Sequence, residues 1–392
     1  MNWRQRRTLL LVITLFWTLA SVAQPAAPAA DKYDYRKVFM DLYRAVQERY
    51  YDSASGYYRD HEEPAPKYGY AYCWPLCGLL QAYNEAEAAG IGATNAAAAS
   101  PASPASPAVP SVHRITTLLD KYSSNKPPMS DSPGALIPGY DSYIVEFGGG
   151  NRFYDDNQWL GLAWMDAWFR TKEPALLARG KLIYRFMMTG YDTVAGGGLY
   201  WEEGKKTTKN TCSNGPGIVL ALQLYKATKE RKYLDTALLL YHWVDTHLRD
   251  SDGLYFDNIR TRDGRIGKAK FSYNTGTMLQ ANVYLYELTG QRAYLQRATA
   301  IADTATRYFY GSGKFRDGYW FNAVLLRGYQ KLLKFNKNPA YGEAFKRCLD
   351  DALAYDKSPT GVMGSGKEQL LVNQAGMLEM LARVAQMEQA IH

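Results

Sequence analysis

Asp155 and Asp156 stand side by side in the stretch Gly148-Gly149-Gly150-Asn151-Arg152-Phe153-Tyr154-Asp155-Asp156-Asn157-Gln158-Trp159, just before an apolar helical run from Leu160 to Phe169. Adjacent acids repel, and capping a helix takes only one of them, so the second asks for a chemical reason. Two carboxyls a few ångströms apart, one ionised and one protonated, can break an acetal of the glycosidic kind. The positive end of the helix dipole favours an ionised carboxylate, and repulsion from that charge keeps the partner protonated near neutral pH. Neighbouring side chains within a helix diverge by about 100°. Both carboxyls therefore share a cleft if the first still lies in non-helical backbone at the helix entry. The glycine run before the pair lets backbone come close to a ligand.

Other ionisable residues read as structural. Asp350-Asp351 falls on one solvated face of an amphipathic segment, and Glu202-Glu203 reads as a surface pair beside Lys205 and Lys206, able to rim a cleft. Asp166, inside the apolar run, reads as a buried hydrogen-bonding group, and Asp317 as an N-cap. The five histidines, His61, His113, His242, His247 and His392, show no metal-ligand spacing. Cys73, Cys77, Cys212 and Cys348 are too few and too irregular for a disulfide framework, and buried thiols or one disulfide are expected rather than zinc. No metal and no cofactor is expected.

A repeating rhythm of helices positions the acid pair. Apolar helices begin near Trp74, Asp156, Asn214, Asn274, Tyr319 and Gln369, and amphipathic ones centre near Leu42, Leu118, Leu182, Leu239, Ala298 and Leu349. Six helices apolar nearly all round, alternating with six apolar on one side, predict an all-α (α/α)6 toroid with long loops gathered at one end. The loops entering the apolar helices read Gly196-Gly197-Gly198-Leu199-Tyr200-Trp201, Lys209-Asn210-Thr211-Cys212-Ser213-Asn214-Gly215, Phe271-Ser272-Tyr273-Asn274-Thr275-Gly276 and Arg316-Asp317-Gly318-Tyr319-Trp320-Phe321-Asn322. Capping explains one polar residue per helix. Amides, hydroxyls and aromatic plates from several loops at one mouth look like a carbohydrate cleft.

The remaining composition sets the setting. Residues 1–23 read as a signal peptide, with Arg4, Arg6 and Arg7, an apolar run from Thr8 to Leu19 and the small-x-small site Ser21-Val22-Ala23. No cysteine follows the cleavage site, so no bacterial lipid anchor is expected, and the mature chain is expected in the periplasm or outside the cell. Residues 24–33 form a linker, and 34–392 one catalytic domain interrupted at about 86–111 by a low-complexity Ala/Ser/Pro insertion. The formal charge of +8 falls to +5 when the three arginines leave, and without Lys/Arg clusters it argues against nucleic acid. Aromatic content of 14%, with 32 Tyr, fits sugar stacking as well as core packing. A monomer without stable membrane insertion is expected.

The chain resembles the family-76 glycoside hydrolases, endo-acting α-1,6-mannanases with an (α/α)6 fold. The resemblance runs from about Tyr35 onward and rests on Phe153-Tyr154-Asp155-Asp156-Asn157, Gly198-Leu199-Tyr200-Trp201, Lys209-Asn210-Thr211-Cys212-Ser213-Asn214 and Tyr273-Asn274. It implies Asp155 as nucleophile and Asp156 as acid/base, retention of anomeric configuration with the carboxyls roughly 5–5.5 Å apart, and α-mannan as substrate. Substrate contacts are then expected from Tyr154, Asn157, Trp201, Asn210, Ser213, Asn214, Tyr273, Asn274 and Trp320, and from Asp257 as a further cleft carboxylate. Thr275 departs from the Gln that often follows the Tyr-Asn pair, so one substrate hydrogen bond differs.

Transglycosylation by the same pair and non-catalytic mannan binding stand as alternatives. An uronide hydrolase or a sugar epimerase is disfavoured by the lack of basic residues or of a histidine-rich cleft.

Overall fold

A computed structural model describes residues 32–62, 69–92, 110–125, 137–365 and 369–389. The expected signal peptide, linker residues 24–31 and residues 93–109 of the low-complexity stretch lie outside the described residues. Ala86 to Ala88 of that stretch complete a helix, with Ala86 fully buried.

Among the described residues the chain forms twelve α-helices: α1 (Tyr35–Tyr50), α2 (Cys73–Ala88), α3 (Val112–Leu119), α4 (Tyr154–Thr171), α5 (Pro174–Met188), α6 (Thr211–Thr228), α7 (Arg231–His247), α8 (Ser272–Thr289), α9 (Arg292–Tyr310), α10 (Tyr319–Asn336), α11 (Ala340–Tyr355) and α12 (Leu371–Gln389). The even-numbered helices pack in sequence, and α12 returns onto α2 to close the ring. The odd-numbered helices lie outside it, each against one or two inner staves. Burial follows this plan. In α6 everything from Thr211 to Leu224 is buried, whereas α9 buries only a stripe of Ala298, Ile301, Ala302, Ala305, Phe309 and Tyr310. The toroid predicted from periodicity is the toroid observed.

The inner-to-outer turns repeat one local device. α4, α6 and α8 each end on a threonine whose hydroxyl donates to the carbonyl four residues back and accepts the amide two residues on: Thr171, Thr228 and Thr289. The next residue is left-handed, Lys172 (φ 63°), Lys229 (φ 62°) or Gly290 (φ 72°). An extended Glu173, Glu230 or Gln291 then starts the antiparallel outer helix.

A second repeated device sits at the other ends. The fourth residue of four inner helices is an amide that reaches back to the loop before it. Asn157 donates to Phe153 O and holds both the N–H and C=O of Tyr140. Asn214 treats Asn210 and Leu199 the same way. Gln374 does so for Leu370 and Met363, while Asn322 holds the carbonyls of Asp317 and Gly318. The entry loops are thereby fixed to the barrel rim. A four-stranded antiparallel sheet, Tyr200–Glu202, Lys205–Asn210, Asn258–Arg260 and Ile266–Gly267 in that order, braces the loops before α6 and α8. No helix among the described residues is long and apolar enough to cross a membrane.

Below the rim the barrel carries a buried ion-pair chain. Glu379 accepts from Arg327 Nε at 2.6 Å and Nη2 at 2.7 Å and from Arg383 Nε at 2.7 Å, and Arg383 Nη2 reaches Glu85 at 2.9 Å. The Arg327 and Arg383 charges hold the Glu379 carboxyl below its usual range against the effect of burial. Glu379→Ala leaves the buried Arg327 guanidinium without its counter-ion and Arg383 with Glu85 alone. It should cost about 3–5 kcal/mol in urea unfolding; a midpoint within error of wild type would contradict the role assigned to this chain.

Candidate active site

Both acids lie inside the first turn of α4, and the N-cap is Phe153. The sequence expectation of a non-helical first aspartate is therefore corrected: neither acid caps. The amide of Asp156 instead donates to Asp155 Oδ1 at 3.1 Å, so local backbone satisfies the first carboxylate. Gly148 (φ 105°) and Gly149 (φ 64°) turn the chain toward α4, and a Cβ on Gly150 would meet Ser142 Oγ at 2.2 Å. The close approach those glycines permit is to the protein's own loop.

The second and third residues of successive inner helices converge on the pair. In second place stand Asp155 (α4), Cys212 (α6), Tyr273 (α8) and Trp320 (α10); in third place stand Asp156, Ser213, Asn274 and Phe321. The Cys212 thiol lies beside the Asp155 carboxyl, which it helps to lower, and beside Tyr273. Tyr273 stacks on Phe321 with ring centroids 4.2 Å apart. From the sheet, Trp201, 41% exposed, donates its indole N–H to Asp155 Oδ2 at 3.1 Å and leans on Phe153.

The two carboxyls have different surroundings. Asp155 accepts from the Trp201 indole and the Asp156 amide and has the Cys212 thiol beside it; burial pushes it up, against these groups, to about 6. Asp156 is pushed well above the carboxylate range by burial and then by the Asp155 charge. Among the described residues no donor reaches its side chain. This asymmetry makes Asp155 the carboxyl that ionises first and Asp156 the one that keeps its proton longer.

Of the other expected residues, Asp257 and Tyr273 join this cluster with part of their surface open. Asp257 accepts from Asn258 at 2.7 Å and from Asn274 at 3.3 Å, and burial raises its carboxyl. Asn274 thus orients a carboxylate from a fully buried position. Ser213, Asn210 and Trp320 lie in the wall behind the surface, and Ser213 Oγ, Asn210 Oδ1, Asn274 Oδ1 and Trp320 Nε1 are buried without a partner among the described residues. Three expectations are corrected. Asn157 and Asn214 are the loop clamps described above, their amides spent on backbone. Tyr154 points outward, its ring against Phe186 and its hydroxyl 3.1 Å from Thr189.

Sequence reasoning passed over the accessible aromatics Trp74 and Phe321. Trp320 is buried edge-on beneath Trp74, and one residue further along the helix Phe321 takes the open position. Glu202 and Glu203 are not a surface pair. Glu203 forms a buried ion pair with Arg152 at 2.6 Å, and Glu202 accepts from Asn151 at 2.6 Å, so both tie the sheet to the segment leading into Asp155. Asp317 accepts the amide of Ser272 at 2.6 Å, capping α8 from the loop before α10. Asp166 accepts from Gln81 and Gln223 in the barrel interior. Asp350 accepts the Tyr35 hydroxyl at 2.7 Å. All four cysteines are buried thiols.

A model of glycosyl hydrolase family 76 matches residues 134–379. A mannan endo-1,6-alpha-mannosidase of Candida glabrata is 30% identical over 175 residues, 40% of this chain and 39% of that protein. The matched part thus spans about two fifths of the length of such relatives. Among solved structures, a family-76 alpha-mannanase of Bacteroides thetaiotaomicron superimposes with a TM-score of 0.79 at 21% identity, covering 92% of this chain and 97% of that one. An inactive variant of a Salegentibacter alpha-1,6-mannanase, two consecutive aspartates replaced by asparagine and alpha-1,6-mannotriose bound, superimposes at 0.70 with 21% identity, covering 90% and 99%. These likenesses establish the (α/α)6 barrel.

The Asp156 surroundings carry a stability consequence. An unfolded aspartate ionises near 4, while the folded site holds its proton to much higher pH. The penalty is absent below about pH 4 and grows as pH rises through neutrality. Asp156→Asn carries no such penalty, so its melting temperature should exceed that of wild type at pH 7 and converge with it toward pH 4. A pH-independent difference would contradict the raised carboxyl.

Proposed function

The chain belongs to glycosyl hydrolase family 76, and on that footing we propose that it cleaves α-1,6-mannosidic bonds within mannan backbones, with Asp155 as nucleophile and Asp156 as general acid/base. The observation that carries this reading is the unequal solvation of the pair: the Trp201 indole and the Asp156 amide donate to Asp155, and no donor reaches Asp156. That is the division of charge a double displacement requires. The relatives add support, since curated ones are mannan endo-1,6-alpha-mannosidases and a structural neighbour with two aspartates replaced is inactive while holding alpha-1,6-mannotriose.

In the first step an Asp155 oxygen bonds to the anomeric carbon as the bond to the leaving oxygen breaks, and Asp156 gives that oxygen its proton. In the second, Asp156 takes a proton from water, whose oxygen attacks the same carbon and releases the Asp155 carboxylate. Two inversions return the starting configuration. Trp74, Tyr273 and Phe321 supply the apolar plates on which sugar rings stack, and Trp201 stands exposed over the nucleophile. Asp257, held by Asn258 and Asn274, accepts from sugar hydroxyls. The expected signal peptide places this chemistry outside the cytoplasm.

On linear α-1,6-mannan, wild type should release shortened oligosaccharides, with NMR of the first product showing the retained anomer. Asp155→Asn should abolish release. Asp156→Asn should lower kcat by roughly 10²–10⁴ on mannan and by much less on aryl mannosides, whose leaving groups need no proton. Turnover should fall as pH drops through about 6, where Asp155 gains its proton, and fall again on the high-pH side as Asp156 loses its own. Undiminished release by Asp155→Asn would end the assignment. Products longer than the substrate would point to transglycosylation, and binding without release to a lectin-like role.

A further inference from the structure

We propose that the cleft continues into an aromatic track, formed by Tyr72, Tyr70 and Phe147, that binds a stretch of the α-mannan chain beyond the sugars held near the acid pair. The inference deepens the reading above and rests on it for the identity of the polymer.

The segment that enters α2 builds the track. Tyr70-Ala71-Tyr72-Cys73-Trp74 alternates in burial: Ala71 and Cys73 are fully buried, Tyr70 and Trp74 are partly open, and Tyr72 is 37% exposed. Backbone bonds hold the inward residues, with the Ala71 N–H donating to Tyr58 O at 2.7 Å and the Cys73 N–H to Ser142 O at 2.9 Å. Tyr72 is extended (φ −71°, ψ 170°), and side chains two apart on extended backbone leave one face about 7 Å from each other. Trp74 belongs to the plates of the cleft. It is therefore the first of a row of rings that leads away from the acid pair, with Tyr72 leaning on Tyr143 at 5.4 Å between centroids.

The segment before α4 broadens the outer end. A single helical turn, Val145–Phe147, stops at left-handed Gly148 and presents Phe147, 53% exposed. The Phe147 ring lies nearly parallel to that of Tyr70, centroids 5.7 Å apart, and Tyr57 packs against both. The Tyr57 hydroxyl donates to Glu146, which fixes a carboxylate at the edge of this plate. Past it opens a groove of about 440 Å³ that Tyr51, Tyr57, Arg114, Leu118, Lys121 and Glu146 line, within the size range of small-ligand sites.

A sugar ring offers an apolar C–H face to an aromatic plate and hydroxyls to acceptors at its edge, and the outer end supplies both partners. The plates make a narrow strip continuous with the cleft, which suits a linear chain rather than the broad patch of a protein interface. Only a substrate longer than the acid pair itself requires can reach Phe147, so the track acts on polymer and not on the smallest substrates.

The test is affinity electrophoresis in native gels containing linear α-1,6-mannan, with Asp155→Asn as the background so that the polymer stays intact. Adding Phe147→Ala or Tyr72→Ala should raise Kd roughly 3- to 10-fold, and adding Phe147→Trp should preserve retardation. In the chain with Asp155 intact, Phe147→Ala should raise KM on long mannan by a similar factor and leave turnover of aryl mannosides unchanged. Melting curves establish that each variant is folded. Equal retardation with and without the Phe147 ring, or an equal loss on aryl mannosides and polymer, overturns the inference. A wild type that fails to cleave mannan defeats the reading of function, while the gels still decide whether the track binds it.

Discussion

Two carboxyls at the entrance of one helix, with protein packed around them, cannot both be charged. Everything near the rim is arranged around that repulsion. The helix N-terminus, an indole and a backbone amide are all directed to Asp155, and Asp156 is left to carry the proton. The arrangement costs stability in order to hold an acid and a base together at neutral pH. The Arg327–Glu379–Arg383–Glu85 chain shows the opposite treatment of buried charge in the same barrel: there every carboxylate has a guanidinium, and the result is a neutral, rigid interior.

The repeat explains how a chain without evident internal identity places its reactive groups. Positions two and three of α4, α6, α8 and α10 gather around the acid pair, and in α4, α6, α10 and α12 position four turns back to hold the incoming loop. Chemistry and scaffolding are separated by a single residue. Asp155 and Asp156 form the acid pair while Asn157 clamps, and Cys212 and Ser213 line the wall while Asn214 clamps. In α8 the fourth residue is Thr275, whose hydroxyl has no partner among the described residues. There the loop is held by Asp317 from the neighbouring stave instead.

This separation also explains what was legible in the sequence. Helix count, order and type could be read because apolar periodicity records burial directly, and the acid pair could be read because two adjacent acids have no structural use. The roles of the neighbouring asparagines could not. Asn157, Asn214 and Asn274 look alike in the chain, and a rotation of about 100° between one residue and the next decides whether an amide meets a cleft carboxylate or a backbone. The same rotation buried Trp320 and exposed Phe321. Glu202 and Glu203 were misread because short strands fold their loop back onto Arg152 and Asn151, a non-local contact that leaves no periodic trace. One local signal was available and passed over: Thr171-Lys172-Glu173, Thr228-Lys229-Glu230 and Thr289-Gly290-Gln291 mark three inner-to-outer turns.

The closing contact between α12 and α2 has a bearing on how the molecule is made. Arg383 and Gln386 reach Glu85 across some three hundred residues of chain, so the first stave cannot be sealed until the last has been synthesised. The intermediate helical pairs are joined by turns of two or three residues and can form early, one hairpin after another. The open edge of α2, rich in buried apolar side chains, must meanwhile wait uncovered. During synthesis or refolding that waiting surface is the place where a chaperone would be needed and where aggregation would start.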